Sequence, residues 1–449
     1  MAGGRRDVKL KQQYSLILLA VLLTVAAFSA GTVTGLAAGR GRLMQTIARV
    51  AQITSGTFEH RQDLDIPGVT NLNALEVIWE VREKVKQQFV YPIEDDSKLT
   101  YGAVRGMLAA LDDPYTRFLD PKEFKSFRTD TSGHFDGIGA VLEAKANDKG
   151  REQVVISSIL EEGPAAKTNL RPKDIIVKVD KTFVDGMTLN AVVDLIRGQR
   201  GTPVTLTVIR AGADKPIEVT VIRANIEVKV VKEYKDKAGW MMDPAKKIGY
   251  IWLTSFNQNA TREMKLALDD LSKQGMKGLI LDLSSDPGGI LDVAVEVASY
   301  FISDGPIVWT RERGAEAQAL YAIPGKAIAK DVKMVAIVDG GSASASEIVA
   351  GALQDTKRAV VVGQHSFGKS KVQTINELQD KSALFLSTAV YLTPKLRDIG
   401  LKDEKGDPGV KPDVLFPAPD PNNADFKAKE WHEQQISLAK AELLKLMGQ

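Results

Sequence analysis

The chain of 449 residues corresponds to about three modules at ordinary domain size, which argues against a single compact body. With 44% hydrophobic and 26% charged residues it is neither collagen-like nor wholly disordered, and a net charge of +2 without a long Lys/Arg run argues against nucleic acid as a partner. Zero cysteines exclude disulfides, a thiolate nucleophile and Cys-ligated metal, and the 4 His (His60, His134, His365, His432) include no helical i, i+4 pair, so neither metal nor cofactor is expected.

At the N-terminus, Arg5, Arg6, Lys9 and Lys11 precede a stretch without charge from Tyr14 to Gly39. A helix of that length spans the ~20 residues needed to cross the hydrocarbon core, and the basic flank keeps its start on the cytoplasmic side. Residues 1–39 are therefore read as a single-pass anchor that leaves the body extracytoplasmic and tied to the cell membrane. The alternative is a cleaved signal peptide, because Leu16 to Phe28 has the length of its apolar region and Ala37-Ala38-Gly39 resembles a cleavage site.

Residues 40–73 are polar and weakly patterned, a linker. In 74–130, Leu75, Ile78, Val81, Val85 and Phe89 recur at helical spacing and a second helix is expected over Leu99 to Leu111, before the turn signal Asp112-Asp113-Pro114, giving a small helical module. From 135 to 225 the runs are short and β-like: Val154 to Ile159, Ile175 to Val179, and a hairpin joining Val204, Leu206 and Val208 to Ile217, Val219 and Val221. One amphipathic helix, Thr188 to Arg197, interrupts this compact, partly open barrel. Over 226–415 strands and helices alternate, which implies a mostly parallel sheet with its chemistry at the strand ends. Residues 416–449 end in a helix whose Ile436, Ala439, Leu443 and Met447 form one face, either a homodimer contact or a packed terminus.

Three strand ends carry candidate chemistry. Ser284-Ser285-Asp286-Pro287-Gly288-Gly289 opens into a helix, and its paired glycines let a ligand oxygen approach the backbone, although the same letters serve a simple turn. Asp339-Gly340-Gly341-Ser342-Ala343-Ser344-Ala345-Ser346-Glu347 places a hydroxyl at a helix start; read without context, Ser344 with Glu347 is a capping box. Gly363 to Ser370 matches the phosphate-loop pattern letter for letter, yet the residues after it are β-branched rather than helical and no acidic strand end follows to hold Mg²⁺, which argues against nucleotide binding.

Taken in order, these loops resemble the carboxyl-terminal processing (tail-specific) serine proteases. The resemblance is carried by Leu111-Asp112-Asp113-Pro114-Tyr115, Phe135-Asp136-Gly137-Ile138-Gly139, Gly249-Tyr250-Ile251, Pro287-Gly288-Gly289, Gly341 to Ile348, Phe367-Gly368-Lys369 with Val372-Gln373, and Gly409-Val410-Lys411-Pro412-Asp413. It implies an α/β multidomain chain: a mostly parallel-sheet protease core of the crotonase or Clp-protease type, a β-rich PDZ domain and an N-terminal helical module. It further implies Ser344 as nucleophile, Lys369 as base and Gln373 as its orienter, with an oxyanion hole from Ala345 and Gly288 or Gly289. The PDZ carboxylate loop would be Gly137-Ile138-Gly139-Ala140, and the partners polypeptides with free C-termini. Asp355 corresponds to a polar position sometimes implicated in the family.

The chemistry is coherent on its own terms, because a lysine at its ordinary pKa is ~0.1% neutral near pH 7 and accepts a serine proton only when burial or a nearby cation depresses that value. A Ser-His-Asp arrangement using His365 is the alternative base. The chain departs from the family pattern where Ser284-Ser285-Asp286 replaces Arg-Asn-Asn, bringing a carboxylate toward a developing oxyanion. It departs again at Ser370 and Lys371 after the lysine, and at Thr168 to Asp174, which lacks two expected glycines. The resulting expectation is an exported serine endopeptidase that binds and cleaves protein tails; the alternative is an inactive tail-binding scaffold on a protease fold.

Overall fold

The computed structural model describes residues 74–146, 152–236, 239–403, 406–417 and 427–449. The expected membrane segment Tyr14 to Gly39 and the 40–73 linker lie outside the described residues; among the described residues no helix is long and apolar enough to cross a membrane. The chain divides into two units, 1–93 and 94–449. In the first, the described helix is Ala74–Gln88, with Glu76 in its first turn and Lys86 in its last, each complementing the helix dipole.

The second unit begins with helices Ser97–Ala109 and Pro121–Ser132. The latter is capped reciprocally by Asp120 and Glu123, each side chain accepting the other's backbone N–H at 2.9 Å. Next comes the β-domain, a sheet in the order Ala140–Ala146, Glu152–Ile159, Ile175–Val179, Pro203–Ile209, Ile217–Ile222. The hairpin 203–222 forms as expected, and the helix is Leu189–Ile196 with Thr188 capping its start. Ile156, Val192, Val204, Leu206 and Val208 fill the core of the domain. Strands His134–Gly137 and Ala224–Glu227 pair antiparallel where the chain enters and leaves it, with Phe135 opposite Ile226.

The core sheet is parallel along Ile248–Leu253, Gly278–Asp282, Lys333–Val338, Val360–Gly363 and Val414–Leu415. Alternation along each strand decides what each face packs on. Leu279 and Leu281, with Met334, Ala336 and Val338, face helices Ala260–Lys273, Leu291–Ser299 and Ala345–Asp355. Ile280, Val335 and Ile337 face the C-terminal helix Ala428–Leu446, whose Ile436, Ala439 and Leu443 are buried against them. That helix is a packed terminus.

A second sheet was not anticipated from the alternating pattern. Strands Arg117–Leu119, Ala383–Leu392, Pro306–Glu312 and Gln318–Tyr321 lie side by side, with Lys371–Glu377 also on Ala383–Leu392, all antiparallel. The residues after Ser370 thus form a strand, not the helix that a phosphate loop must open.

Candidate active site

Ser344 stands at the start of helix Ala345–Asp355 with φ 56° and ψ −112°, a conformation a non-glycine residue adopts only when its surroundings impose it. Those surroundings are a lattice between two strand-end loops. Asp339 Oδ1 accepts the N–H groups of Ser285 (2.8 Å) and Gly341 (2.9 Å), and buried Ser342 donates its hydroxyl to the Leu283 carbonyl at 2.7 Å. The Asp286 carbonyl accepts from Ala343 N–H at 2.9 Å and from the Ser346 hydroxyl at 2.8 Å. Gly288, at φ +92°, lies so close that a Cβ there would come 2.5 Å from the Ala343 carbonyl oxygen.

Lys369 lies between parallel strand Val360–Gly363 and antiparallel strand Lys371–Glu377. Its Nζ donates to Gln373 Oε1 at 3.2 Å and stands 5.3 Å from the Tyr115 ring centre, while Gln373 Nε2 donates to the Tyr115 carbonyl at 2.5 Å. No hydrogen bond joins Nζ to the Ser344 hydroxyl. Burial first, then the Arg117 charge, pull the Lys369 pKa below its ordinary value, against a smaller opposing pull from Glu347 and Asp113. A cavity of about 520 Å³ is lined by Ser344, Ala345, Lys369, Gln373, Gly288 and Gly289, together with Arg117, Phe256, Ile348 and Tyr391. His365 does not line it, so the alternative base is not at the site.

The amides read as an oxyanion hole differ from one another. Gly288 N–H donates to Asp286 Oδ1 at 2.8 Å, whereas Gly289 and Ala345 N–H have no acceptor among the described residues. The Asp286 side chain does not line the cavity. It is fully buried, Oδ2 has no partner, and burial pushes its pKa up to about 8, so it is mostly protonated at neutral pH. The carboxylate that seemed to oppose an oxyanion thus lies behind the Gly288 amide rather than in the cavity lining, and burial favours its neutral form.

Glu347 was missed in the sequence because it passes as a capping residue. Buried, it accepts N–H groups from Ser344 (2.7 Å), Gly368 (2.6 Å) and Lys369 (3.0 Å) and the Ser366 hydroxyl (2.5 Å), with the Tyr391 hydroxyl 3.4 Å away. Its pKa is raised by burial, against the pull of those donors. Asp355 sits at the far end of the same helix, paired with Arg397 at 2.6 Å, and has no part in the cavity. In the β-domain, Ile138 and Gly139 N–H have no acceptor among the described residues, and the adjoining strand Ala140–Ala146 is a sheet edge beside helix Leu189–Ile196.

Comparison with known proteins gives three family models in chain order: an activating protease CtpB N-terminal domain over residues 37–123, a PDZ domain over 127–209, and peptidase family S41 over 247–416. A carboxy-terminal-processing protease of Bartonella bacilliformis is 36% identical over 347 residues, 76% of this chain and 75% of that one. The chain belongs to the carboxy-terminal-processing proteases of peptidase family S41. Within that family it is also 36% identical over 367 residues to a probable CtpA-like serine protease of Staphylococcus aureus, covering 80% of this chain and 68% of the relative. A solved structure of the photosystem II D1 C-terminal processing protease is 31% identical, with TM-score 0.44, covering 77% of this chain and 93% of that one. As an S41 serine peptidase with a PDZ domain, the chain has the α/β multidomain fold expected, its parallel core extended by the antiparallel sheet that carries Gln373 and Tyr391.

Proposed function

We propose that the chain is an exported serine endopeptidase that engages free C-terminal tails through its PDZ domain and cleaves them with Ser344 and Lys369. The observation that carries the reading is one cavity lined by a strained helix-start hydroxyl, a lysine with a depressed pKa, and the unengaged amides of Gly289 and Ala345. Neutral Lys369, turned from Gln373 onto the hydroxyl, accepts its proton as Ser344 Oγ bonds to the scissile carbonyl carbon. The carbonyl oxygen, now negative, takes the Gly289 and Ala345 N–H groups; Gly288 supports the turn but its N–H belongs to Asp286. Collapse of the adduct breaks the C–N bond, with Lys369 returning the proton to the leaving amine. Water, deprotonated by the same lysine, then releases the acyl group and restores the hydroxyl.

Tail recognition is supported by the edge strand Ala140–Ala146, which offers strand addition, and by the amides of Ile138 and Gly139 in the loop Gly137 to Ala140, which have no acceptor among the described residues and suit a terminal carboxylate. Export and anchoring rest on the basic residues before the uncharged Tyr14 to Gly39 stretch. The working domain map remains 74–130 helical, 135–225 PDZ and 226–415 protease. The test is hydrolysis of a tail-bearing polypeptide and fluorophosphonate labelling, by wild type, Ser344→Ala and Lys369→Ala. Both activities are expected to vanish in the first variant and to fall by at least ~10³-fold in the second. Wild-type tail binding without Ser344-dependent hydrolysis would support a non-catalytic scaffold instead.

A further inference from the structure

The C-terminal helix Ala428–Leu446 lies beyond the last residue matched by the S41 family model, yet one of its side chains reaches the strand end that leads into the glycine loop. Gly278, Ile280 and Asp282 share the sheet face on which this helix packs, so the Asp282 carboxylate, fully buried, points at it. Asp282 Oδ2 lies 2.6 Å from His432 Nε2 and accepts the Tyr250 hydroxyl at 2.6 Å, while Oδ1 accepts the Ser284 N–H at 2.9 Å and the Ser284 hydroxyl at 2.6 Å. His432 Nε2 is also 3.1 Å from Ser284 Oγ, and the His432 ring stands 5.1 Å from that of Trp252, whose indole N–H donates to the Ser284 carbonyl at 3.2 Å. Both contacts of the imidazole go through the same nitrogen, so Ser284, His432 and Asp282 do not form a proton relay.

We infer that His432 is a positioning residue: through Asp282, Ser284 and Trp252 it fixes the first residues of the Ser284–Gly289 loop, and thereby Gly289, which lines the same cavity as Ser344. The helix does not need this contact to dock. Ile436, Ala439 and Leu443 bury its apolar face, Glu433 accepts the Tyr234 hydroxyl at 3.0 Å, and Lys440 pairs with Asp243 at 2.8 Å. A buried carboxylate also carries a desolvation cost that an apolar side chain would avoid, and what this one gains is a fixed Ser284.

The inference rests on the hydrolytic reading above, and its test separates the two. In the full chain, His432→Phe is expected to lower kcat for a tail-bearing peptide about 10- to 100-fold with KM within about twofold, and to weaken a peptide aldehyde, which needs the oxyanion amides, in parallel. His432→Gln, which keeps a donor at the same reach, restores kcat to within about threefold of wild type. Amide hydrogen exchange reads the same event without catalysis: in His432→Phe, peptides covering 284–289 exchange faster while those covering 428–446 keep wild-type protection. Unchanged kcat and aldehyde affinity in His432→Phe overturn the inference and leave the hydrolytic reading intact. Loss of protection over 428–446 in either variant also overturns it, in favour of an anchor. A wild type without Ser344-dependent cleavage overturns the hydrolytic reading and this inference with it.

Discussion

Glu347 Oε2 accepts the N–H of Ser344 at 2.7 Å and that of Lys369 at 3.0 Å, so a single carboxylate holds the turns that carry the proposed nucleophile and the proposed base. Its other oxygen accepts Gly368 N–H and the Ser366 hydroxyl, which fixes the approach to the lysine as well. The two turns come from separate strand ends, and the Tyr391 hydroxyl bridges them as well, through the Ser344 and Lys369 carbonyls.

Replacing Glu347 with Gln substitutes an NH₂ for one acceptor and leaves at least one buried N–H or hydroxyl facing a donor. Such a loss costs about 1–3 kcal/mol per orphaned group. Glu347→Gln is expected to lower both the denaturation midpoint and the rate of fluorophosphonate labelling at Ser344. Unchanged labelling would show that the two turns hold their places without the carboxylate.

Lys369 must be neutral to accept a proton, so cleavage should rise with pH through its depressed pKa. Arg117 contributes to that depression. Removing the guanidinium lets the lysine hold its proton more tightly, and the rising limb of kcat/KM against pH in Arg117→Ala is expected to move to higher pH. A limb that stays put, or moves down, would separate the titration from Lys369.

Asp286 gives a stability dependence of the opposite sense to most carboxylates. Its folded pKa of about 8 stands above the ordinary aspartate value of 3.8, so between these limits the folded state holds more protons than the unfolded one and stability falls as pH rises. Asp286→Asn removes that penalty. Its Tm is expected to exceed wild type by on the order of 5 °C at pH 8, with the gap closing toward pH 4. Equal Tm values at both ends would mean that the carboxylate reaches solvent or a counter-charge.

The proposed tail recognition by Ile138 and Gly139 N–H requires a terminal carboxylate. A peptide ending in a free acid is expected to bind at least ~10-fold more tightly than the same peptide amidated at its C-terminus, by calorimetry or fluorescence anisotropy. Equal affinities would leave strand addition at Ala140–Ala146 without its anchoring end.

Much of this arrangement is written locally. Ser344, Lys369 and the paired glycines stand at breaks in strong apolar runs, and strands such as Gly278–Asp282 announce themselves by composition. What local pattern does not carry is pairing over distance. Strand Arg117–Leu119 joins Ala383–Leu392, and the Tyr115 carbonyl receives Gln373, across separations that no spacing reveals. Asp282 stayed hidden for a related reason: a strand buried on both faces reads as one continuous run, and its partner His432 arrives 150 residues later. Glu347 hid behind a commoner use of the same letters, and the positive φ of Ser344 has no signature in composition.

The pairing of Phe135 with Ile226 also makes the PDZ segment a cassette. Its two ends are adjacent on one short ribbon, so evolution or an engineer can exchange the proposed peptide reader, or close the gap with a tight hairpin, without re-registering the sheet that leads to Ser344. Sorting specificity and bond cleavage can therefore diverge independently within one polypeptide.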